Sequence, residues 1–210
     1  MMKRAKAIEG RRQAAVNDKA KLLKNIETVQ ALRISQQNYH ADRLLSLRDV
    51  IVDYGGGPVC FPVTFTAARG DRIAVMGRNG SGKSSILKLI CGEDIPYSGI
   101  FECGSRLKIS YVPQDASGLA GSLSDYAREY EIDETKFKTV LRELDFDREQ
   151  FEKDMAAFSA GQKKKALIAR SLCEDAHIHI WDEPMNYIDV LSRMQIEELL
   201  IMFQPTILFV

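Results

Sequence analysis

The chain has 210 residues, 45% of them hydrophobic, and its 29 basic side chains balance 29 acidic ones to a formal net charge of zero. That composition excludes a largely disordered chain, and bulk charge singles out no partner. No apolar run reaches the roughly 20 residues that span a bilayer, and the charged N-terminus lacks the apolar core of a signal peptide, so the sequence reads as cytoplasmic.

Residues 1 to about 38 contain no proline, a single glycine (Gly10) and many strong helix formers, which predicts one helix. Its first part is basic, with Lys3, Arg4, Arg11 and Arg12 among the cations and only Glu9 and Asp18 opposing them up to Lys24. A thin apolar stripe (Leu22, Leu23, Ile26, Val29, Leu32) appears only in the second half. A helix this polar must project, pair or bind something. The division expected is a charged helical arm over 1–40 and a globular domain over 41–210.

From Leu44 the pattern shortens into strands. Leu45–Val52 alternates and is broken by the turn Tyr54–Pro58; Val63–Ala67 alternates again, and Arg69–Asp71 turns. Arg72–Met76 is a short apolar run of the kind a buried strand shows, and it feeds a glycine loop and a helix over Ser84–Leu89. Strands are predicted at Ile100–Glu102 and Leu107–Val112, and mainly helical structure over 122–157. Helices follow at Ala160–Cys173 and Val190–Met202, with strands at Ile178–Trp181 and Thr206–Val210. Cys60, Cys91, Cys103 and Cys173 lack CxxC spacing and read as small buried hydrophobes of a reducing compartment.

The run Gly77-Arg78-Asn79-Gly80-Ser81-Gly82-Lys83-Ser84, continued by Ser85, fits a phosphate-binding loop between a strand and a helix. Glycines let backbone N–H groups close round phosphates, and the following helix N-terminus adds partial positive charge. Lys83 would reach the β- and γ-phosphates, and the Ser84 hydroxyl would ligate Mg²⁺; the loop by itself admits ATP or GTP. Asp182 and Glu183 close an apolar strand, where open α/β sheets place their ligands. One carboxylate can hold Mg²⁺ and the next can act as general base towards water.

Phe158-Ser159-Ala160-Gly161-Gln162 resembles the signature sequence of the ATP-binding-cassette ATPases. Gln114, after Ile109–Pro113, is similar to that family's Q-loop glutamine, Asp189 to its D-loop aspartate, and Tyr54 to the aromatic residue that stacks on adenine. The resemblance implies an α/β fold of the P-loop ABC ATPase type. Its parts would be a mixed sheet around the loop, a small antiparallel β-subdomain from segments near 45–67 and a helical lobe at 117–157, preceded by a charged linker helix. It further implies ATP and Mg²⁺ as cofactors, with Ser84, Gln114 and Asp182 serving the metal, and Glu183, helped by Gln114, activating water. Ser159, Gly161 and Gln162 would face the ATP of a second cassette, and Ser159 is also a good N-cap for its helix. Ala160 departs from the usual glycine. The family's switch histidine, expected after the strand matching Thr206–Val210, has no counterpart, so the chain is expected to break off before it. His177 and His179, on alternate residues, read as packed side chains of one strand face.

Asp182-Glu183-Pro184-Met185-Asn186-Tyr187-Ile188-Asp189, the short interval from Gln114 to Ser159 and the basic arm resemble the ABC-F branch, whose two cassettes are joined by a charged helical linker and act on ribosomes. The motifs 159–165 and 186–189 are similar to antibiotic-resistance members of the Lsa and Vga type. The resemblance thus implies a second cassette and ribosomal RNA, through the arm, as partners, with no transmembrane segment. The alternatives are the ATPase subunit of an ABC membrane transporter and a module that binds ATP without hydrolysing it. Lys163–Lys165 reads as a solvated helix face, with contact to RNA phosphates as the other reading.

Overall fold

Apolar alternation and turn chemistry put three strands into an antiparallel sheet. In the computed structural model, which describes residues 39–210, β1 (Arg43–Val52) pairs on one side with β2 (Val63–Ala68) and on the other with β4 (Tyr97–Cys103). The predicted arm over 1–38 lies outside the described residues. As the middle strand, β1 buries Leu44, Leu45, Leu47, Val50 and Val52. Its pairing with both neighbours slips around Asp49, a bulge that carries φ 50°. Gly99 lies against this bulge, and a Cβ there would come within 2.3 Å of the Asp49 carbonyl oxygen.

Four further strands make a parallel sheet in the order β3-β7-β6-β5: β3 (Arg72–Ala74), β5 (Ile109–Val112), β6 (Ile178–Trp181) and β7 (Ile207–Phe209). The mixed sheet content expected from the sequence is thus divided, with parallel strands behind the glycine loop and antiparallel strands in a separate sheet. β6 is buried at every residue. β3 is not the buried strand its apolar run suggested: among the described residues it pairs with β7 alone. As an edge strand it leaves Arg72 and Ala74 exposed, and Met76 beyond it is 89% exposed.

The helix α1 (Lys83–Ile90) ties the two sheets together. Its Ile86, Leu87, Leu89 and Ile90 join Leu45 and Leu47 of β1 and Ile178, Ile180 and Leu208 of the parallel sheet in one buried cluster. The stretch 122–157 contains two short helices, α2 (Leu123–Glu129) and α3 (Glu134–Glu143), and two 3-10 turns, Gln150–Glu152 and Met155–Ala157. It is less helical than predicted because Ser122, Asp133 and Asp154 each cap a new start, while Glu131 and Asp145 turn left-handed after the helices. The helices α4 (Ala160–Cys173) and α5 (Val190–Phe203) agree with the periodicity, and α4 packs on both α3 and β5.

Buried polar groups in the parallel sheet are paired with one another. Ser171 of α4 receives hydrogen bonds from Ser110 Oγ (2.7 Å) and Trp181 Nε1 (2.8 Å) and lies 3.1 Å from His179 Nδ1. His177 lies apart, accepting the Lys108 N–H at 2.9 Å and meeting the Tyr39 ring edge-on. Burial lowers the His179 imidazole from 6.5 to about 4. The unfolded chain therefore binds a proton at this residue below pH 6.5 that the folded chain refuses, and stability falls as pH falls from 6.5 towards 4. Urea unfolding across that window should show a slope of up to about 1.4 kcal/mol per pH unit from this residue. It is expected to disappear in His179→Gln; equal slopes in the two proteins would remove His179 as its source.

Candidate functional site

The loops after β3, β5 and β6 all leave the same edge of the parallel sheet, and they carry the glycine loop, Gln114 and the Asp182–Glu183 pair. After β3, Gly80 and Gly82 take φ 79° and 80°, a conformation that suits glycine. A Cβ at Gly82 would also stand 2.7 Å from the Val59 carbonyl oxygen, so the glycine lets the loop pass close beside the Tyr54–Val59 segment. Ser81 N–H donates to Arg78 O (3.2 Å), and a Cβ on Gly77 would press on Ser81 Oγ at 2.6 Å. Lys83 opens α1, and its ammonium donates to Gly77 O and Arg78 O, each at 3.1 Å. Asn79, Gly80, Lys83, Ser84 and Ser85 line a cleft of about 470 Å³ whose facing wall is Gln114 and Glu183. No side chain caps α1, so its first N–H groups remain available to an anion.

The acidic pair leaves β6 in two different environments. Asp182 is 1% exposed, its N–H donates to Val112 O at 2.8 Å, and its Oδ1 has no hydrogen-bond partner. A buried carboxylate oxygen without a donor is costly, and a cation beside it would relieve that cost. With the Ser84 hydroxyl on the cleft wall, the donor set is oxygen-rich and suits Mg²⁺. Glu183 has φ 46°, unusual for a side-chain-bearing residue. Its Oε2 accepts from Gln114 Nε2 (2.9 Å) and from Asn186 Nδ2 (2.6 Å). Two amides thus hold one oxygen and leave Oε1 for a proton. Burial, with Glu93 and Asp182 adding to it, pushes the Cys91 thiol up to about 12.

Ser159 caps α4 in a reciprocal box: Gln162 N–H donates to Ser159 Oγ (3.2 Å), and Ser159 N–H donates to Gln162 Oε1 (2.9 Å). The predicted ligand Gln162 therefore uses its side-chain oxygen on its own helix. Gly161 has a packing reason to be glycine, since a Cβ would lie 2.5 Å from Tyr187 O. Asp189 caps α5 by accepting from Ser192 N (2.9 Å) and Oγ (2.8 Å), and it pairs with Lys165 at 2.9 Å. The Lys165 hydrogen bond, followed by the Ser192 N–H, holds its carboxyl well below the usual carboxylate range.

The lysine triplet is not the solvated face expected of it. Lys163 reaches Ser117 O at 3.0 Å, and Lys164 and Lys165 are buried. Lys164 Nζ donates to Pro113 O (2.8 Å), Gln114 O (3.1 Å) and Asp182 O (3.2 Å). Burial lowers its pKa, against the charges of Asp182, Glu183 and Asp115. A helical wheel would have shown the position, because residue 164 shares a face with Leu167, Ile168 and Ser171. Asn186 was also missed as a contact of Glu183, although it lies three residues on in the same turn. Tyr54 is 55% exposed and does not line the cleft, although Val59, at the far end of its loop, does. The cysteines differ from expectation too: all four are free, but only Cys173 is buried and Cys103 is exposed. Among the described residues no cluster of His, Cys, Asp and Glu could hold a metal by itself, and no helix is long and apolar enough to cross a membrane.

Residues 60–186 match the family described as ABC transporter. The chain is 29% identical to the ATP-binding protein Uup-like of Haemophilus influenzae, over 96% of this chain and 46% of that protein. It is 28% identical to the ribosome protection protein VmlR of Bacillus subtilis, over 80% of this chain and 31% of that protein. Against the zinc import ATP-binding protein ZnuC of Wolbachia pipientis wMel the identity is 27%, over 80% of this chain and 71% of that protein. The chain thus spans less than half the length of the first two relatives.

Asp189→Ala removes both the α5 cap and the partner of a buried lysine. Urea denaturation should show a loss of about 1–2 kcal/mol. An unchanged midpoint would mean that neither interaction carries stability.

Proposed function

The chain belongs to the ABC transporter family, and we propose that it is the ATP-binding and hydrolysing cassette of a cytoplasmic ABC-F protein acting on the ribosome, as a translation factor or in antibiotic resistance. The observation that carries the catalytic part is the cleft itself, where the glycine loop faces Gln114 and an amide-clamped Glu183. In this reading the loop N–H groups and Lys83 bind the phosphates, and Tyr54 takes the adenine from its exposed loop. Ser84, Gln114 and Asp182 would hold Mg²⁺, which when bound neutralises phosphate charge and polarises the γ-phosphoryl group. Gln114 and Asn186 orient Glu183 so that Oε1 takes a proton from the attacking water. As the new P–O bond forms, the bond to the β–γ bridging oxygen breaks, and ADP and phosphate result.

Ser159 and Gly161, at the N-terminal end of α4, would meet the γ-phosphate of an ATP held by a second cassette. Closure of the pair on ATP and its release after hydrolysis would be the working cycle, with 1–40 as the linker arm that touches ribosomal RNA. The DEPMNYID run and the likeness to the Uup-like protein and to VmlR support the ABC-F assignment. The likeness to ZnuC supports the second reading, a transporter ATPase subunit. A second cassette in the same reading frame decides between them.

Glu183→Gln in the intact protein should slow ATP turnover by about 10²–10⁴-fold while ATP stays bound, as measured by single-turnover hydrolysis and retained nucleotide. Undiminished turnover would take Glu183 out of the role of base. Pelleting of the intact protein with ribosomes over a salt series is expected to show binding that falls steeply as salt rises. Absence of co-sedimentation at low salt, with ATP or without it, would sink the ribosomal assignment.

A further inference from the structure

Lys164 is 1% exposed and makes no ion pair among the described residues, in contrast to the neighbouring Lys165, which pairs with Asp189. An isolated buried ammonium is costly, so what its three N–H donors reach matters. All three go to backbone carbonyls: Pro113 O, Gln114 O and Asp182 O, at 2.8, 3.1 and 3.2 Å. These carbonyls lie just past the last registered pair of β5 and β6, Val112↔Trp181, where the sheet ladder no longer provides donors. The ammonium takes over from the ladder at the point where the two strands part to become functional loops. Charge-assisted bonds of this kind are stronger than neutral ones.

We propose that Lys164 is a positioning residue, tying the first turns of α4 to the two loops that carry Gln114 and Asp182–Glu183. The inference rests on reading the cleft as the ATP site. Gln114 is held at its own carbonyl oxygen while its side-chain Nε2 donates to Glu183 Oε2 at 2.9 Å. Asp182 is held at its carbonyl while its carboxylate Oδ1 is left unpartnered, and the next residue carries the left-handed backbone of Glu183. Ser159, which caps the same helix, is five positions away in sequence. Through this one ammonium the helix start, the glutamine loop and both carboxylates keep a common geometry. Its net positive charge also stands under the two carboxylates without neutralising either by direct contact.

The test compares Lys164→Met, which keeps the buried stem and removes the donors, with Lys164→Gln, which restores donors without charge. Amide hydrogen exchange on the nucleotide-free chain should become roughly tenfold faster at 113–117 and 182–187 in the Met variant, with Lys83–Ile90 and the helices α2 and α3 unchanged. The Gln variant is expected between the two. ATP affinity should stay within about threefold, because the glycine loop is untouched, while kcat of the intact protein falls by about 10–100-fold at constant KM. Exchange that rises everywhere, or a variant that does not fold, would make Lys164 a core residue and overturn the proposal, as would unchanged exchange at the two loops. If the unsubstituted chain binds no ATP, the reading of the cleft fails; the exchange comparison, made without nucleotide, still decides Lys164.

Discussion

The burial of the helix Lys83–Ile90 between two sheets is the constraint on which the rest depends. Its four apolar side chains share one buried cluster with side chains of the antiparallel sheet and of the parallel sheet. Each contributes on the order of 1.5–3 kcal/mol when removed from water. Because the inner end of the helix is held this firmly, its N-terminus is held too. The glycine loop then has a fixed landing point, and the open N–H groups of the first turn point where β3 delivers the chain. Gly82 serves this arrangement twice, through its positive φ and by leaving room for the Val59 carbonyl.

A second layer of order comes from polar groups buried at strand ends. The carbonyls of Pro113, Gln114 and Asp182 outlast the ladder between β5 and β6, and an ammonium satisfies them. The Ser110–Ser171–His179–Trp181 cluster does the same for side chains inside the sheet. The two histidines of 177–179 show how differently alternate residues of one segment can be used. His179 enters this cluster and loses its proton affinity to burial, while His177 accepts a backbone N–H beside Tyr39. Neither geometry suits a metal.

Local backbone features mark where the chain is committed to the site. Glu183 and Tyr187 both carry positive φ, on either side of Asn186, which donates to the Glu183 carboxylate. Gly161 approaches the Tyr187 carbonyl too closely for any other residue. The turn after β6 therefore fits against the start of α4, and the acidic pair, the signature segment and Asp189 form one packed surface. The same contact explains why Gly161 is glycine without reference to any nucleotide.

Much of this was legible in the sequence. Alternation, short apolar runs and helix-forming stretches between turn and cap residues set β1, β2, β6, α1, α4 and α5 nearly to their limits, but not which side chains are buried: β6 and residues 164–173 of α4 are buried throughout. The glycine loop, Gln114 and the Asp182–Glu183 pair were identifiable because their chemistry demands particular residue types in a particular order. What the spacing did not contain was which strand lies at an edge. That is set by pairing between segments far apart in the chain, so β3 read as buried when it is half open. Nor could residue type reveal the burial of Lys164 and Lys165, because lysine is ordinarily solvated and only the carbonyls and carboxylate that tertiary folding brings to them make burial tolerable. The sequence by itself determined the chemical groups and their order along the chain. The tertiary structure decided which of them meet, since a cleft is made by three loops that share a sheet edge and not a stretch of sequence.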